Sequence, residues 1–214
     1  IPELTPSTYE NTEVGWRTLL ANGIRVDSAL YQLTGDNTIV SYTISPGNSE
    51  NRNAGKTQSQ GLELALSQQH ISWDWYISAT VAKHRFVTYK LGATEDYSGK
   101  TMPQAPNHTL NGQMGWKPTP ATRVALGMVR QSQYWMNNLN TVRYEGHTLL
   151  NVTASHKLQG GIEVWGQVRN LNNERYADTA SSSYKSGTFI PNSQNTYSPG
   201  APRSVMLGLT KSFL

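Results

Sequence analysis

Leu62-Glu63-Leu64-Ala65-Leu66 alternates without a break. In an extended chain successive side chains leave opposite sides of the backbone, so three leucines share one face while Glu63 and Ala65 share the other. Such a segment is a strand with two unlike sides, one apolar and one that tolerates a carboxylate. The same period of two runs through the rest of the chain. Trp73, Trp75, Ile77, Ala79 and Val81 oppose Asp74, Tyr76, Ser78 and Thr80; Val124, Leu126 and Met128 repeat the pattern. Ile162, Val164 and Val168 oppose Glu163, Gln167 and Arg169, and Val205, Leu207, Leu209 and Phe213 form the last apolar row. Stretches with the helical period are missing.

Gly, Pro and Asn clusters divide the chain into nine expected strands, 8–19, 24–33, 54–67, 72–85, 107–117, 122–134, 146–156, 161–171 and 203–213. Each reaches the ~9–11 residues that a tilted strand needs to cross hydrocarbon. Short links at 21–23, 68–71, 118–121 and 157–160 alternate with long polar ones at 34–53, 86–106, 136–145 and 172–202, the first of which has room for a small hairpin at 38–43. Strict alternation sends all the long loops to one end, the asymmetry of an outer-membrane barrel. An up-and-down barrel of nine strands would have to close on a parallel pair, so further strands are expected upstream. Trp16, Trp73, Trp116 and Phe213 fall beside the short-turn end with the parity of the apolar faces, as an interfacial girdle would. A soluble β-sandwich, carbohydrate-binding or otherwise, fits less well because its strands average about 5–6 residues.

Composition narrows the class. The 214 residues suit one domain or two, and 36% hydrophobic residues without an apolar run of ~20 leave no transmembrane helix. Only 15% are charged, against about 25% in soluble domains. Having no cysteine removes disulfides, zinc ribbons and thiol nucleophiles. The excess of 18 Lys+Arg over 14 Asp+Glu is scattered, which argues against nucleic acid as a partner. The chain does not open with a basic n-region followed by an apolar h-region, so any signal peptide has been removed or lies upstream.

Catalysis finds no support. His70, His84, His108, His147 and His156 show no metal-ligand spacing, and there is no Gly-x-Ser-x-Gly elbow or phosphate loop. Ser155 and His156 are adjacent in a strand and point apart. No cofactor, metal or enzymatic activity is expected. Glu13, Arg17, Glu63, Glu163 and Arg169 lie on the polar face, where charges in a lumen pair with one another. Gly15, Gly55, Gly61 and Gly200 permit bulges or close approach, and Pro106 and Pro202 start strands.

The long loops carry the expected specificity. Phe86, Tyr89 and Tyr97 occupy one; Tyr134, Trp135, Arg143 and Tyr144 flank the next; Tyr184, Lys185, Phe189 and Tyr197 lie in the last. Aromatic rings beside cations suit an anionic, aromatic ligand such as a ferric siderophore, through stacking and cation–π contact. Several of these rings serve equally well in an outer girdle or against lipopolysaccharide.

Six motifs, in order, resemble those of the TonB-dependent outer-membrane receptors. Pro2-Glu3 and the stretch from Tyr9 through Glu13-Val14-Gly15-Trp16-Arg17 is similar to a Glu-x-Gly-x-Lys strand, with Arg for Lys. Asn53-Ala54-Gly55 followed by Gly61-Leu62-Glu63 resembles an Asn-x-Gly…Gly-x-Glu strand, and Pro103-Gln104-Ala105-Pro106 a Pro-x-x-Pro strand start. Gly146-His147-Thr148 with Asn151 resembles Gly-Tyr-Thr…Asn, with His147 in the aromatic position. Asn170-Leu171-Asn172-Asn173-Glu174-Arg175-Tyr176 and Pro199-Gly200-Ala201-Pro202-Arg203 complete the set. A departure lies at the end, where the family's terminal aromatic is replaced by Phe213 followed by Leu214.

The resemblance implies an all-β, antiparallel transmembrane barrel of about 22 strands around a plug, of which residues 1–214 are the C-terminal part, with plug and early strands absent. It implies an active-transport receptor in the outer membrane of a Gram-negative bacterium, taking up a scarce nutrient, most simply a ferric siderophore. The implied partners are that small molecule, the TonB complex acting through the plug, and outer-membrane lipid and lipopolysaccharide. Cobalamin or a glycan in the same fold, and a passive porin, remain alternatives.

Overall fold

The structure, a computed structural model, describes residues 3–45, 48–53, 55–90, 96–182 and 195–213. Fifteen strands occur among them: β1 Thr8–Leu19, β2 Arg25–Asp36, β3 Ile39–Ser45, β4 Asn48–Asn53, β5 Gly55–Gln69, β6 Trp73–Tyr89, β7 His108–Thr119, β8 Thr122–Gln131, β9 Tyr134–Trp135, β10 Arg143–Tyr144, β11 His147–Leu158, β12 Ile162–Arg169, β13 Ala177–Ser182, β14 Asn195–Pro199 and β15 Ser204–Lys211. Nine of them, in the order β1-β2-β5-β6-β7-β8-β11-β12-β15, make one antiparallel meander. These are the nine strands that the alternation predicts. The other six pair as three small hairpins, β3 with β4, β9 with β10 and β13 with β14, each inside a long link. The hairpin expected at 38–43 is β3 with its partner; the other two go beyond the sequence reading.

Strand ends differ where the backbone turns. β8 stops at Gln131 instead of 134, because Ser132 bonds back to His108 and Tyr134 opens a separate ladder with Tyr144. β12 stops at Arg169 because Asn170 takes φ 51°, a left-handed conformation that asparagine tolerates.

Register fixes the faces. Val14 pairs with Leu30, Leu30 with Leu62, and Leu62 with Val81, so four strands contribute to one apolar row. That row is open to the surroundings, with Val14 71% and Leu30 61% exposed. A row of this kind is stable against hydrocarbon and costly against water. Trp73 lies directly across from Trp116 at the short-turn end, and Trp16 shares their face. The opposite face carries Glu13, Tyr31, Gly61 and Ala82 in one row. Gly61 is required there, since a Cβ would stand 2.6 Å from the Tyr31 ring.

A sheet with lipid on one side and lumen on the other has little dry interior. The buried clusters accordingly sit in the long-loop layer: Tyr134, Met136, Tyr144, Ala177 and Ala180 in one, Phe86, Tyr89 and Tyr97 in the other.

Candidate functional site

Three long links meet at one end of the wall and are tied together. Between β6 and β7, Lys100 donates to Leu139 O at 3.1 Å and Thr101 N to the Asn140 side chain at 2.9 Å, while Asn140 returns a bond to Thr101 O. Gln104 N donates to Trp135 O at 2.8 Å. Between β8 and β11, the Tyr134 hydroxyl accepts from Ala180 N at 2.8 Å and the Tyr144 hydroxyl from Ala177 N at 3.1 Å, both in β13. Ser182 N donates to Met136 O at 2.9 Å. Each tie uses a backbone group that would otherwise be unpaired in a water-poor layer. The loops therefore form one body instead of three independent segments.

Local sequence explains the anchors. Tyr134 and Tyr144 face each other across the two-residue ladder, ring centroids 5.1 Å apart, and turn their hydroxyls toward β13. Burial raises both phenol pKa values above the ordinary tyrosine range, against the opposing effect of the backbone bond that each oxygen accepts. Both remain neutral hydroxyls at physiological pH.

The sequence-predicted ligand residues divide into three groups. Tyr89 and Tyr97 are only 5% and 7% exposed and pack with Phe86, Met102 and Leu139; Tyr144 is 9% exposed. Their rings fill the loop cores. Trp135 and Arg143 lie on the other side of the β9–β10 ladder, with the guanidinium 4.1 Å from the Trp135 ring centroid, and Tyr197 on β14 is half open at 52%. Tyr184, Lys185 and Phe189 lie outside the described residues.

Asn170, Tyr176 and Gly200, all within the family-like motifs, brace this layer. Asn170 is 3% exposed and donates to Glu174 O and Ala201 O while accepting from Glu174 N. Tyr176 covers Gly200, where a Cβ would meet its ring at 2.2 Å. Met136, Asn137, Ala177 and Ala180 escaped the sequence reading; only the positive-φ asparagines hinted at tight turns, Asn140 at φ 57° among them.

At the opposite end, on the lumen face, Asp74 accepts from Lys117 at 2.9 Å and from Arg123 at 3.1 Å through Nε. Arg17 pairs with Asp27 at 2.8 Å. Among the described residues neither Glu13 nor Glu63 belongs to an ion pair. The histidines are engaged locally: His84 with Ser59, His156 with Thr122, His147 with Tyr144, and His70 stacked on Trp73. Among the described residues no group of three His, Asp or Glu could hold a metal ion.

A two-faced antiparallel meander, lipid-facing on one side and crowned by tied loops, defines a wall of the β-barrel membrane-transport class. The family described as "TonB dependent receptor-like, beta-barrel" matches residues 1–171, and the chain belongs to it. That family is one of Gram-negative outer-membrane transporters. Solved structures are similar across almost the whole chain. The siderophore receptor PiuA of Acinetobacter baumannii has TM-score 0.74 at 17% identity, covering 94% of this chain and 28% of its own. The ferric yersiniabactin uptake receptor FyuA of Yersinia pestis has TM-score 0.71 at 16% identity, covering 95% and 29%. The ferric-catecholate import receptor Fiu of Escherichia coli K12 has TM-score 0.70 at 18% identity, covering 96% and 28%. The chain thus spans less than a third of each.

Proposed function

We propose that residues 1–214 are the C-terminal part of the barrel of an outer-membrane receptor that imports a ferric siderophore, energised through TonB. The observation that carries this reading is the tied loop layer. Three links hold one another in place and present Arg143, stacked on Trp135, with Tyr197 exposed on the neighbouring hairpin. A guanidinium fixed over an indole offers charge and a flat apolar surface together, the pair of features that an anionic, aromatic iron chelate needs. Pre-set loops also reduce the entropy lost on capture. That the structures it resembles are siderophore receptors supports the same substrate class.

In this reading the segment supplies wall and capture surface. Lumen-facing carboxylates such as Glu13 and Glu63 would face the plug, whose rearrangement by the TonB complex lets the ligand pass. The test is uptake of radiolabelled iron by cells whose only receptor is the full-length protein, with catecholate, hydroxamate and carboxylate chelates supplied in turn, with and without TonB. TonB-dependent uptake of one chelate supports the proposal. Uptake of cobalamin or of an oligosaccharide instead would move the substrate class, and TonB-independent flux of small solutes would make the protein a porin.

A further inference from the structure

The two tyrosine ties of the loop layer are not equivalent. Tyr134 takes Ala180 N at 2.8 Å, with no histidine bonded to its hydroxyl among the described residues. Tyr144 takes Ala177 N at 3.1 Å and also lies 2.8 Å from His147 Nδ1. His147 stands in the aromatic position of the Gly-Tyr-Thr…Asn motif and packs as an aromatic ring, its centroid 4.6 Å from that of Tyr176 and 6.0 Å from that of Tyr144. Unlike a tyrosine it carries a nitrogen that gains a proton near neutral pH. Ala177 N–H already points at the Tyr144 oxygen, so the single hydroxyl proton is free for Nδ1. A neutral ring with its own proton on Nε2 therefore satisfies all three groups. A charged ring has a proton on both nitrogens. Two N–H groups then aim at one oxygen, and the hydroxyl proton has lost its acceptor. Glu174 from the 170–176 turn and Asp178 from β13 act on the ring, and its ladder partner on β8 is the neutral Gln131. Both carboxylates are exposed, where water and salt screen their attraction for a charged imidazole. His108, at the same end of β7, has outward parity.

We propose that His147 is a positioning residue that makes one tie of the loop layer sensitive to acid. Neutral, it holds Tyr144 so that the hydroxyl grips Ala177; charged, it displaces that grip while Ala180 stays on Tyr134. The tie is complete above the imidazole titration and is lost as pH falls through it. Carboxylates ordinarily titrate near pH ~4, so a change between about pH 7.5 and 5.5 belongs to the imidazole. Ala177 is 4% exposed, and water does not readily replace the acceptor it loses. Ala177 also begins β13 and pairs with Pro199, while Ala180 pairs with Tyr197 on β14. Acidification therefore loosens the stem of the last long link, on which Tyr197 stands. The consequence for capture rests on the siderophore reading given above; the tie itself does not.

The test uses the full-length receptor in mild detergent, with amide hydrogen exchange followed residue by residue at about pH 7.5 and 5.5. Each rate is divided by the intrinsic rate of that amide at that pH, and Ala180 N–H, on the same strand, is the internal reference. In the wild type, protection of Ala177 relative to Ala180 should fall by about three- to tenfold on acidification, the equivalent of one hydrogen bond. H147F keeps a ring against Tyr176 and cannot titrate, so its ratio should stay constant over the same range. An unchanged ratio in the wild type, or an equal fall in H147F, overturns the proposal. Should H147F fail to assemble, Y144F decides: without the hydroxyl the ratio should be low and independent of pH, and a persisting fall with acid overturns the idea. Ferric catecholate, hydroxamate and carboxylate chelates are then compared on wild type and H147F at each pH, so that changes in the chelate itself cancel. The wild type should lose a bound chelate more steeply with acid than H147F does. Equal loss overturns the link to capture and leaves the tie, whereas binding of none of the three sinks the siderophore reading and leaves the exchange result to decide the tie.

Discussion

Asn151 accepts the backbone N–H of Asn170 through its side-chain oxygen at 3.0 Å, so the asparagine of one wall strand holds the turn that ends the next. Asn170 then spends its own amide on Glu174 and Ala201, from a backbone at φ 51°. Asn170→Ala removes these bonds to the carbonyls of two exposed residues, a cost of about 0.5–1.5 kcal/mol for each bond. It also places alanine in a left-handed conformation. The expected result is faster proteolysis within 170–203 of the full-length receptor with heat-modifiable migration of the barrel unchanged. Wild-type resistance to protease would show that Asn170 braces nothing.

Leu64 faces outward with Leu62 and Leu66, and Ala65 faces the lumen beside Glu63. Leu64→Arg should impair insertion, since arginine on a lipid face costs about 2–4 kcal/mol near the midplane. Ala65→Arg meets a polar lumen and should be milder. Comparing assembled receptor in outer-membrane fractions checks the ranking, and the reverse order would invert the faces.

Period-two alternation exposed the wall because a strand between lipid and lumen repeats its environment every second residue, as Leu62 to Leu66 does. The loop layer gave no such signal. Whether Tyr144 meets a ligand or Ala177 depends on a contact 33 residues away, and Tyr134 on one 46 residues away. An aromatic residue in a polar loop reads alike in either case, so Tyr89, Tyr97 and Tyr144 stood beside Trp135 and Arg143 as equals until packing separated them. The Asn170 turn was legible as a motif but not as a mechanism, because its partners lie in three different segments.

Tyr134 and Tyr144 hold their protons more tightly when folded than when unfolded. With folded values raised, their stabilisation is complete below the unfolded value of about 10 and declines as pH rises through the folded values. Alkaline titration followed by ultraviolet difference absorbance should show a late-ionising fraction, accompanied by rising protease sensitivity between 132 and 182. In Tyr134→Phe that fraction should shrink and Ala180 N–H lose its acceptor. Ordinary titration of every tyrosine would contradict the buried placement.

β1 and β15 are the two edges of the nine-stranded sheet. In lipid each unpaired backbone group costs several kcal/mol, so residues 1–214 alone should not form a closed barrel. Refolded in mild detergent, the segment should lack heat-modifiable migration and exchange the amides of both edge strands quickly. Protection of all wall amides would show that the edges find each other.

The link between β12 and β15 tests ligand capture directly. Its stem is fixed: Ser182 pairs with Asn195, and Ala177, Ala180 and Ser182 are tied to the layer below. Ordinary connections need about 4–6 residues, yet this one continues through 183–194, which includes Tyr184, Lys185 and Phe189. Replacing 183–194 by a two-residue turn joins register partners that already lie across a ladder, so neither the stem nor the wall should change. In the full-length receptor, ligand affinity should then fall by about tenfold or more, equivalent to about 1.4 kcal/mol, with unaltered heat-modifiability. Arg143→Gln should compound the loss if both surfaces touch the same ligand, because removing either contact leaves the other to hold it alone. Unchanged affinity in the deletion, measured on membranes with equal receptor levels, would assign 183–194 to shielding the cell surface and leave Trp135, Arg143 and Tyr197 as the capture surface.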